Sequence, residues 1–189
     1  GCAANTATEF TLIDLPGAYS LDPLSPDEEL TRTLLLEAPA AERPDVTVVA
    51  VDAAHLARSL YLVAQVREAS SRVVVALTMT DLARQAGVEV DSFALAQGLG
   101  CPVVVVDPRH RVGLDNLTRA VREALTRAVP APRDMPEAAD DLEREDERFA
   151  WIADVVSAGT ARTGEERVSR SDRIDRVVTH PVAGPLIFL

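Results

Sequence analysis

The segment Phe10-Thr-Leu-Ile-Asp14-Leu-Pro-Gly17 places a carboxylate and a glycine at a spacing that suits phosphate chemistry. Its apolar and β-branched residues predict a buried strand over Phe10–Asp14 that ends on the acid. In open α/β sheets, ligands bind at the carboxyl ends of the strands. We therefore expect Asp14 to hold Mg²⁺ through water, and Gly17 to offer its backbone N–H to a terminal phosphate.

The first half of such a site is missing from the sequence. All 19 basic residues are Arg, so a phosphate-binding loop of the form GxxxxGK[ST] cannot occur in these 189 residues. The abrupt ends favour a fragment.

Polar residues also end the other predicted strands. These strands cover residues 45–52, 72–78 and 100–107, and the polar residues at their ends are Asp52, Thr78 with Asp81, and Asp107. A polar-x-x-Asp sequence about two βαβ units after a DxxG sequence is the order found in GTP-binding proteins. There the later acid, here Asp81, accepts hydrogen bonds from guanine and rejects adenine. Asp52 is expected to cap the next helix, and His55 to lie on the surface.

Several segments resemble, in the same order, the FeoB-type ferrous iron transporters. The segment 14–21, DLPGAYSL, resembles the family's DLPGTYSL, and the segment 51–62, VDAAHLARSLYL, resembles VDATNLERNLYL. The segment 76–81, ALTMTD, resembles the guanine box ALNMxD, and residues 171–189 resemble the approach to the first transmembrane helix. The resemblance covers most of residues 10–189.

The resemblance implies a role for each matching residue. Asp14 would be the acid that holds Mg²⁺ through water, and Leu15, Pro16 and Gly17 would contact the GTP phosphates. The guanine site would be formed by Thr78 (where the family has Asn), Met79, Asp81, Asp107, Pro108 and Arg109. Ala18 stands where many signalling GTPases have a water-orienting Gln. Tyr19 and Ser20 are the alternative candidates for catalysis, unless they are ordinary residues of a mobile loop.

The resemblance also implies a domain organisation. Residues 1–129 would be a partial G domain without its first strand and phosphate loop, followed by a linker at 130–137. Because the resembled fold places that strand between the strands at 10–14 and 45–52, we expect this chain to be marginally stable, or to re-pair with the strand at 10–14 beside the strand at 45–52. Residues 138–180 would form a short helical spacer, and residues 181–189 would start the first transmembrane helix. The implied function is a GTP-binding regulatory domain, on the cytoplasmic face of the inner membrane, of a permease for Fe²⁺. The isolated chain is expected to bind GTP weakly and to be inactive as a GTPase.

Composition sets further limits on partners and metals. The net charge of −11 argues against a nucleic-acid partner. Cys2 and Cys101 lie far apart and indicate a reducing compartment, with Cys101 expected to be a buried, inert thiol. The three His residues show no metal-ligand spacing, so we expect no protein-bound metal cluster.

The alternation of apolar strands and amphipathic helices predicts an α/β fold. We expect an incomplete P-loop GTPase-like sheet, mostly parallel, with flanking helices and a short C-terminal helical segment. Two alternatives remain open at this point. One is a GTPase-like interaction module that has lost nucleotide binding. The other is a phosphoacceptor signalling domain, although Asp107 stands where that chemistry usually needs Lys.

Overall fold

The computed structural model describes residues 10–22, 26–39, 41–68, 72–126 and 141–162. The strands are β1 (Thr47–Asp52), β2 (Val73–Thr78), β3 (Val88–Val90), β4 (Val103–Val105) and β5 (Thr160–Arg162). The helices are α1 (Pro26–Arg32), α2 (Leu56–Glu68), α3 (Thr80–Gln85), α4 (Ser92–Leu99), α5 (Leu114–Thr126) and α6 (Asp141–Gly159). A π-helical turn at Thr33–Glu37 extends α1, and a 3₁₀ turn at Ala53–His55 precedes α2.

A parallel sheet with the strand order β1-β2-β4 forms the centre of the fold. The central strand β2 is buried from Val73 to Leu77, which explains its unbroken apolar sequence. Helix α2 covers the sheet with Leu60 and Val63, both fully buried. The predicted fold class, a mostly parallel sheet with flanking helices, is confirmed.

Helix α6 packs against α2 and α4 and so joins the core. Its Ile152 and Val155 are buried, and Val155 lies against Gly98 of α4. Immediately after α6, strand β5 pairs with β3 in an antiparallel ladder. The expected linker at 130–137 and membrane segment at 181–189 lie outside the described residues, and the expected spacer is described only for 141–162. None of the helices in the described ranges combines the length and apolarity needed to span a membrane.

The prediction of a buried strand over Phe10–Asp14 is wrong. These residues form no regular secondary structure, and the side chain of Leu12 is 79% exposed. The expected re-pairing beside β1 is also not found, since within the described ranges β1 pairs only with β2. A strand needs a neighbour for its backbone N–H and C=O groups, and apolar sequence alone does not supply one.

Strands β3 and β5 were not predicted. Strand β5 lies inside the segment 138–180, which was expected to be a helical spacer. Each strand has only three residues, which is too short for a periodic pattern, and the pairing joins segments that are far apart in the chain.

Candidate functional site

A cleft of about 410 Å³ opens at the carboxyl ends of β1 and β2. Three parts of the chain line it: the loop after Gly17, the ends of the two strands, and the start of α2. The polar and aromatic residues of the lining are Tyr19, Asp52, His55, Arg58, Ser59 and Thr78. The cleft therefore lies at the carboxyl edge of the sheet, and among the predicted strand-end residues Asp52 and Thr78 line it.

Asp52 organises the wall of the cleft next to α2. One carboxylate oxygen accepts from the Ala54 N–H at 2.8 Å, and the other lies 2.9 Å from His55 Nδ1. Partial burial opposes ionisation of this carboxyl group. The hydrogen bonds from His55 and Ala54 outweigh that effect and lower the pKa of Asp52. The predicted helix-capping role of Asp52 is thus confirmed, and His55 lies at the surface with 72% of its side chain exposed.

The Asp14–Gly17 segment is exposed at both ends. Asp14 and Gly17 are accessible to solvent, while Leu15 and Pro16 are half-buried. The Thr31 hydroxyl of α1 lies 3.4 Å from the Pro16 carbonyl oxygen, to which it donates. A Cβ added to Gly17 would meet no atom within 4 Å, so the surface beside the Gly17 backbone is open.

The loop after Gly17 is attached to α2. The Arg58 guanidinium carbon lies 4.1 Å from the centre of the Tyr19 ring, a cation–π contact. Ser20 and Leu21 contact the buried side chain of Gln65 on the same helix. Tyr19 and Ser20, the candidates for catalysis, are therefore held by side chains of α2.

Thr78, Met79 and Asp81 form the turn from β2 into α3. The Thr78 hydroxyl donates to the Val51 carbonyl of β1 at 3.1 Å, which ties the two strand ends together. Met79 adopts a left-handed conformation with φ 56°, and this sharp turn places the exposed Asp81 in the first turn of α3. Helix α3 packs against the 53–55 turn, so Asp81 lies on a helix that adjoins the Asp52 wall of the cleft.

The guanine loop implied at Asp107–Arg109 forms a separate exposed turn. One Asp107 carboxylate oxygen accepts from the backbone N–H groups of Arg109 and His110, and the other lies 2.6 Å from His110 Nδ1. These interactions, the His110 contact first, lower the pKa of Asp107. Asp107, Pro108 and Arg109 lie at the carboxyl end of β4, outside the lining of the cleft.

The residues near Asp14 fit a water-held Mg²⁺. Asp14 makes no hydrogen bond or ion pair with any other residue in the part of the chain that the structure describes, so its carboxylate is free to accept from metal-bound water. Within that same part, no three His, Cys, Asp or Glu residues cluster as metal ligands. One carboxylate suffices for Mg²⁺ when waters and ligand phosphates complete the coordination.

Two residues near the cleft were missed by the sequence analysis. Arg58 and Gln65 both lie on α2 and hold the loop after Gly17. Gln65 could have been found, because it is a polar residue within the apolar run Leu62–Val66 of an amphipathic helix. Cys101 matches its prediction, since it is buried and burial raises the pKa of its thiol to about 11.

Comparison with known proteins identifies the family. Residues 1–121 match the FeoB_N family model, described as ferrous iron transport protein B. The Fe(2+) transporter FeoB of Salmonella typhimurium is 36% identical over 121 residues, which are 64% of this chain and 16% of that protein. The chain thus spans about one sixth of the length of this relative.

Solved structures agree with the family model. The cytosolic domain of L. pneumophila FeoB superposes with a TM-score of 0.67 at 25% identity, covering 79% of this chain and 77% of that one. The mGMPPNP-bound NFeoB of S. thermophilus superposes with a TM-score of 0.63 at 25% identity, covering 80% of each chain. This chain therefore belongs to the ferrous iron transport protein B family, FeoB.

Proposed function

We propose that this chain is part of a GTP-binding regulatory domain, located on the cytoplasmic face of the inner membrane, of a ferrous iron transporter. The family membership supports this, since the Salmonella relative is an Fe(2+) transporter and the S. thermophilus structure binds mGMPPNP. The observation that carries the proposal is the shared cleft. Tyr19, two residues after Gly17, and Thr78, at the start of the guanine segment, line the same cavity.

The site residues take the following roles in this proposal. Asp14 holds Mg²⁺ through water, and the Leu15–Gly17 backbone meets the phosphates. The open surface at Gly17 supports close approach of a phosphate to its N–H. The guanine base is bound by residues 78–81 and backed by the loop at Asp107–Arg109. Mg²⁺ neutralises phosphate charge when it is bound.

The proposed domain organisation follows the family. Residues 1–129 belong to the G domain and 130–137 to a linker. Residues 138–180 form the helical spacer, and 181–189 begin the membrane region, with Fe²⁺ carried by the longer protein. The packing of α6 on α2 and α4 supports a spacer that is integrated with the G domain.

The 189-residue chain is proposed to bind GTP weakly. Its sequence lacks Lys and the GxxxxGK[ST] loop, whose N–H groups and Lys supply most phosphate contacts in this class of site. The Thr78 hydroxyl already donates to Val51, so it is not free to donate a second hydrogen bond. We expect a dissociation constant of about 1 mM, or about −4 kcal/mol.

Nuclear magnetic resonance titration of the ¹⁵N-labelled chain tests this function. GTP with Mg²⁺ is expected to shift the amide signals of residues 17–20 and 78–81, whereas ATP at the same concentration shifts only the first group. Asp81→Ala should abolish the difference between the two nucleotides. Asp154→Ala, an exposed position on α6, is the matched control and should preserve it.

Two outcomes would contradict the proposal. Equal shifts with GTP and ATP in the unmodified chain would remove the guanine assignment. No shift with either nucleotide would favour the alternative, a GTPase-like interaction module that has lost nucleotide binding. Binding at micromolar concentration would instead contradict the weak-affinity statement alone.

A further inference from the structure

Gln65 is a buried amide side chain on α2 that the proposed nucleotide contacts do not use. It is 7% exposed and lies between the fully apolar neighbours Ala64 and Val66. A buried primary amide is costly unless its donors and acceptor are all bound. The structure shows partners for both its Oε1 and its Nε2, and within the described residues these partners belong to the loop after Gly17.

The Gln65 amide both accepts hydrogen bonds from the loop and donates one to it. Its Oε1 accepts from the Leu21 backbone N–H at 2.7 Å, and its Nε2 donates to an Asp22 carboxylate oxygen at 2.7 Å. The Ser20 hydroxyl lies 3.2 Å from the same Oε1 and accepts from the Asp22 N–H at 2.9 Å. Because the Leu21 N–H can only donate, the orientation of the Gln65 amide is determined.

Two further contacts hold the loop nearer to Gly17. The Thr31 hydroxyl donates to the Pro16 carbonyl, and the Arg58 guanidinium covers the Tyr19 ring. Arg58 and Gln65 are seven residues apart on α2 and so lie on the same side of the helix. The segment from Gly17 to Ser20 is therefore a short bridge between an anchor at Pro16 and an anchor at Leu21.

We propose that Gln65 is a positioning residue that fixes the loop 17–22 on α2 and thereby determines where Gly17 presents its N–H. The phosphate to which Gly17 would donate rests on the function proposed above. The attachment itself does not, because it consists of contacts between residues of this chain. Gln65 makes no contact with a reacting group and acts only through the loop.

Amide hydrogen exchange of the full 189-residue chain, without nucleotide, tests the attachment. Gln65→Met keeps the size of the side chain and removes all its hydrogen bonds. We expect the Leu21 amide to exchange roughly tenfold faster or more, as the loss of about 1.4 kcal/mol predicts. The Val75 amide, which donates to Pro102 inside the sheet, exchanges through global unfolding and so reports the effect of each variant on overall stability. Gln97→Met, on the exposed side of α4, is the matched control.

A double variant that exchanges the donor and acceptor roles of residues 65 and 22 should restore the protection of Leu21. A role of Gln65 in packing alone would not produce this rescue. Gln65→Glu alone places two carboxylates in contact and should also accelerate Leu21 exchange. Combining it with Asp22→Asn restores one donor and one acceptor in the opposite sense, and protection of Leu21 should return. The proposal is overturned by unchanged Leu21 exchange in Gln65→Met, whether or not Val75 exchange accelerates, or by failure of the double variant to restore protection.

A second arm of the experiment separates this proposal from the proposed function. In the GTP titration, Gln65→Met is expected to lose the shifts at residues 17–20 while retaining those at 78–81. If the unmodified chain shows no GTP shifts but Gln65→Met accelerates Leu21 exchange, the attachment stands and the nucleotide function fails. If Gln65→Met retains every GTP shift, the positioning role is contradicted.

Discussion

Gly113 and Gly17 show how one residue type serves opposite needs in this chain. Gly113 has φ +79°, and a Cβ there would lie 2.1 Å from the Val105 carbonyl oxygen. Only glycine fits that approach of two backbone segments. Gly17 has no such constraint, because its surroundings are open.

Gly113→Ala is therefore expected to destabilise the fold by about 2 kcal/mol or more, from left-handed strain and the clash with the Val105 backbone carbonyl. Gly17→Ala, the matched control, should change stability by no more than about 0.5 kcal/mol. Urea unfolding followed by circular dichroism measures the stability of both variants. Equal stability of the two variants would show that the turn at Gly113 can rearrange.

Asp52 contributes stability that depends on pH. Asp52→Ala removes the hydrogen bonds to Ala54 and His55 and should cost about 1 kcal/mol at neutral pH. The pKa of Asp52 in the folded chain lies below its ordinary value of 3.8. Its contribution is thus complete above pH 4 or so and is lost as the pH falls through the folded pKa.

Unfolding of the unmodified chain and of the Asp52→Ala variant, measured at several pH values, tests the direction of this pH dependence. The difference in free energy of unfolding should shrink as the pH falls below about 4. Asp154→Ala, an exposed helical carboxylate, provides the control and should show little difference at any pH. A difference that grew on acidification would contradict the assignment of Asp52 as an ionised cap.

At the scale of elements, one ion pair fastens α6 to α2. Arg148 is 8% exposed, and its Nε and Nη2 donate to the two Glu68 carboxylate oxygens at 2.9 and 2.8 Å. Its Nη1 donates to the Tyr61 hydroxyl at 3.0 Å. The hydrogen bonds with Glu68 raise the pKa of Arg148, which stays charged.

Arg148→Met should destabilise the chain by about 3 kcal/mol, because it leaves the Glu68 carboxylate without its counter-charge. Adding Glu68→Gln to this variant should recover part of the loss, since the unpaired charge is removed. Arg84→Met, at an exposed position of α3, is the matched control. Thermal or urea unfolding measures the stability of these three variants. An unchanged stability of Arg148→Met would show that the Arg148–Glu68 ion pair contributes little to holding α6 on α2.

At the scale of the whole molecule, both outer strands of the sheet, β1 and β4, have an edge without a partner strand in the part of the chain that the structure describes. Within the described residues β1 pairs only with β2, and Val48 of β1 is 40% exposed. Phe10, Leu12 and Ile13 are also exposed. An open strand edge with apolar side chains favours pairing between chains, although the net charge of −11 opposes it.

We expect the isolated chain to self-associate as its concentration rises, and Val48→Lys to suppress that association, because a charged residue on an edge strand disfavours pairing. Val112→Lys makes the same change at an exposed position in the 107–112 turn and should not suppress it. Sedimentation velocity over a wide range of concentration distinguishes the two. A chain that stays monomeric throughout would contradict this prediction.

By itself, the sequence determined the α/β class, three of the strands and the family. Val-rich runs such as 73–77 and helical periodicities such as that of α2 are local patterns. They can be recognised in the sequence without knowing which segments pack against them. The DLPG segment and the Thr78–Asp81 turn were identifiable for the same reason. The rule that parallel strands share an edge explains why Asp52 and Thr78 line one cleft, but not why the loop after Gly17 joins them, because residues 10–14 form no strand.

Only the tertiary structure decided what each segment pairs with. It showed that Phe10–Asp14 forms no strand, that β3 meets β5, and that Gln65 and Arg58 hold the loop after Gly17. These features depend on contacts between residues far apart in the chain, for which a single sequence carries no periodic signal. A strand or a buried amide is stable only when a partner satisfies its hydrogen bonds, and that partner is specified by the fold as a whole.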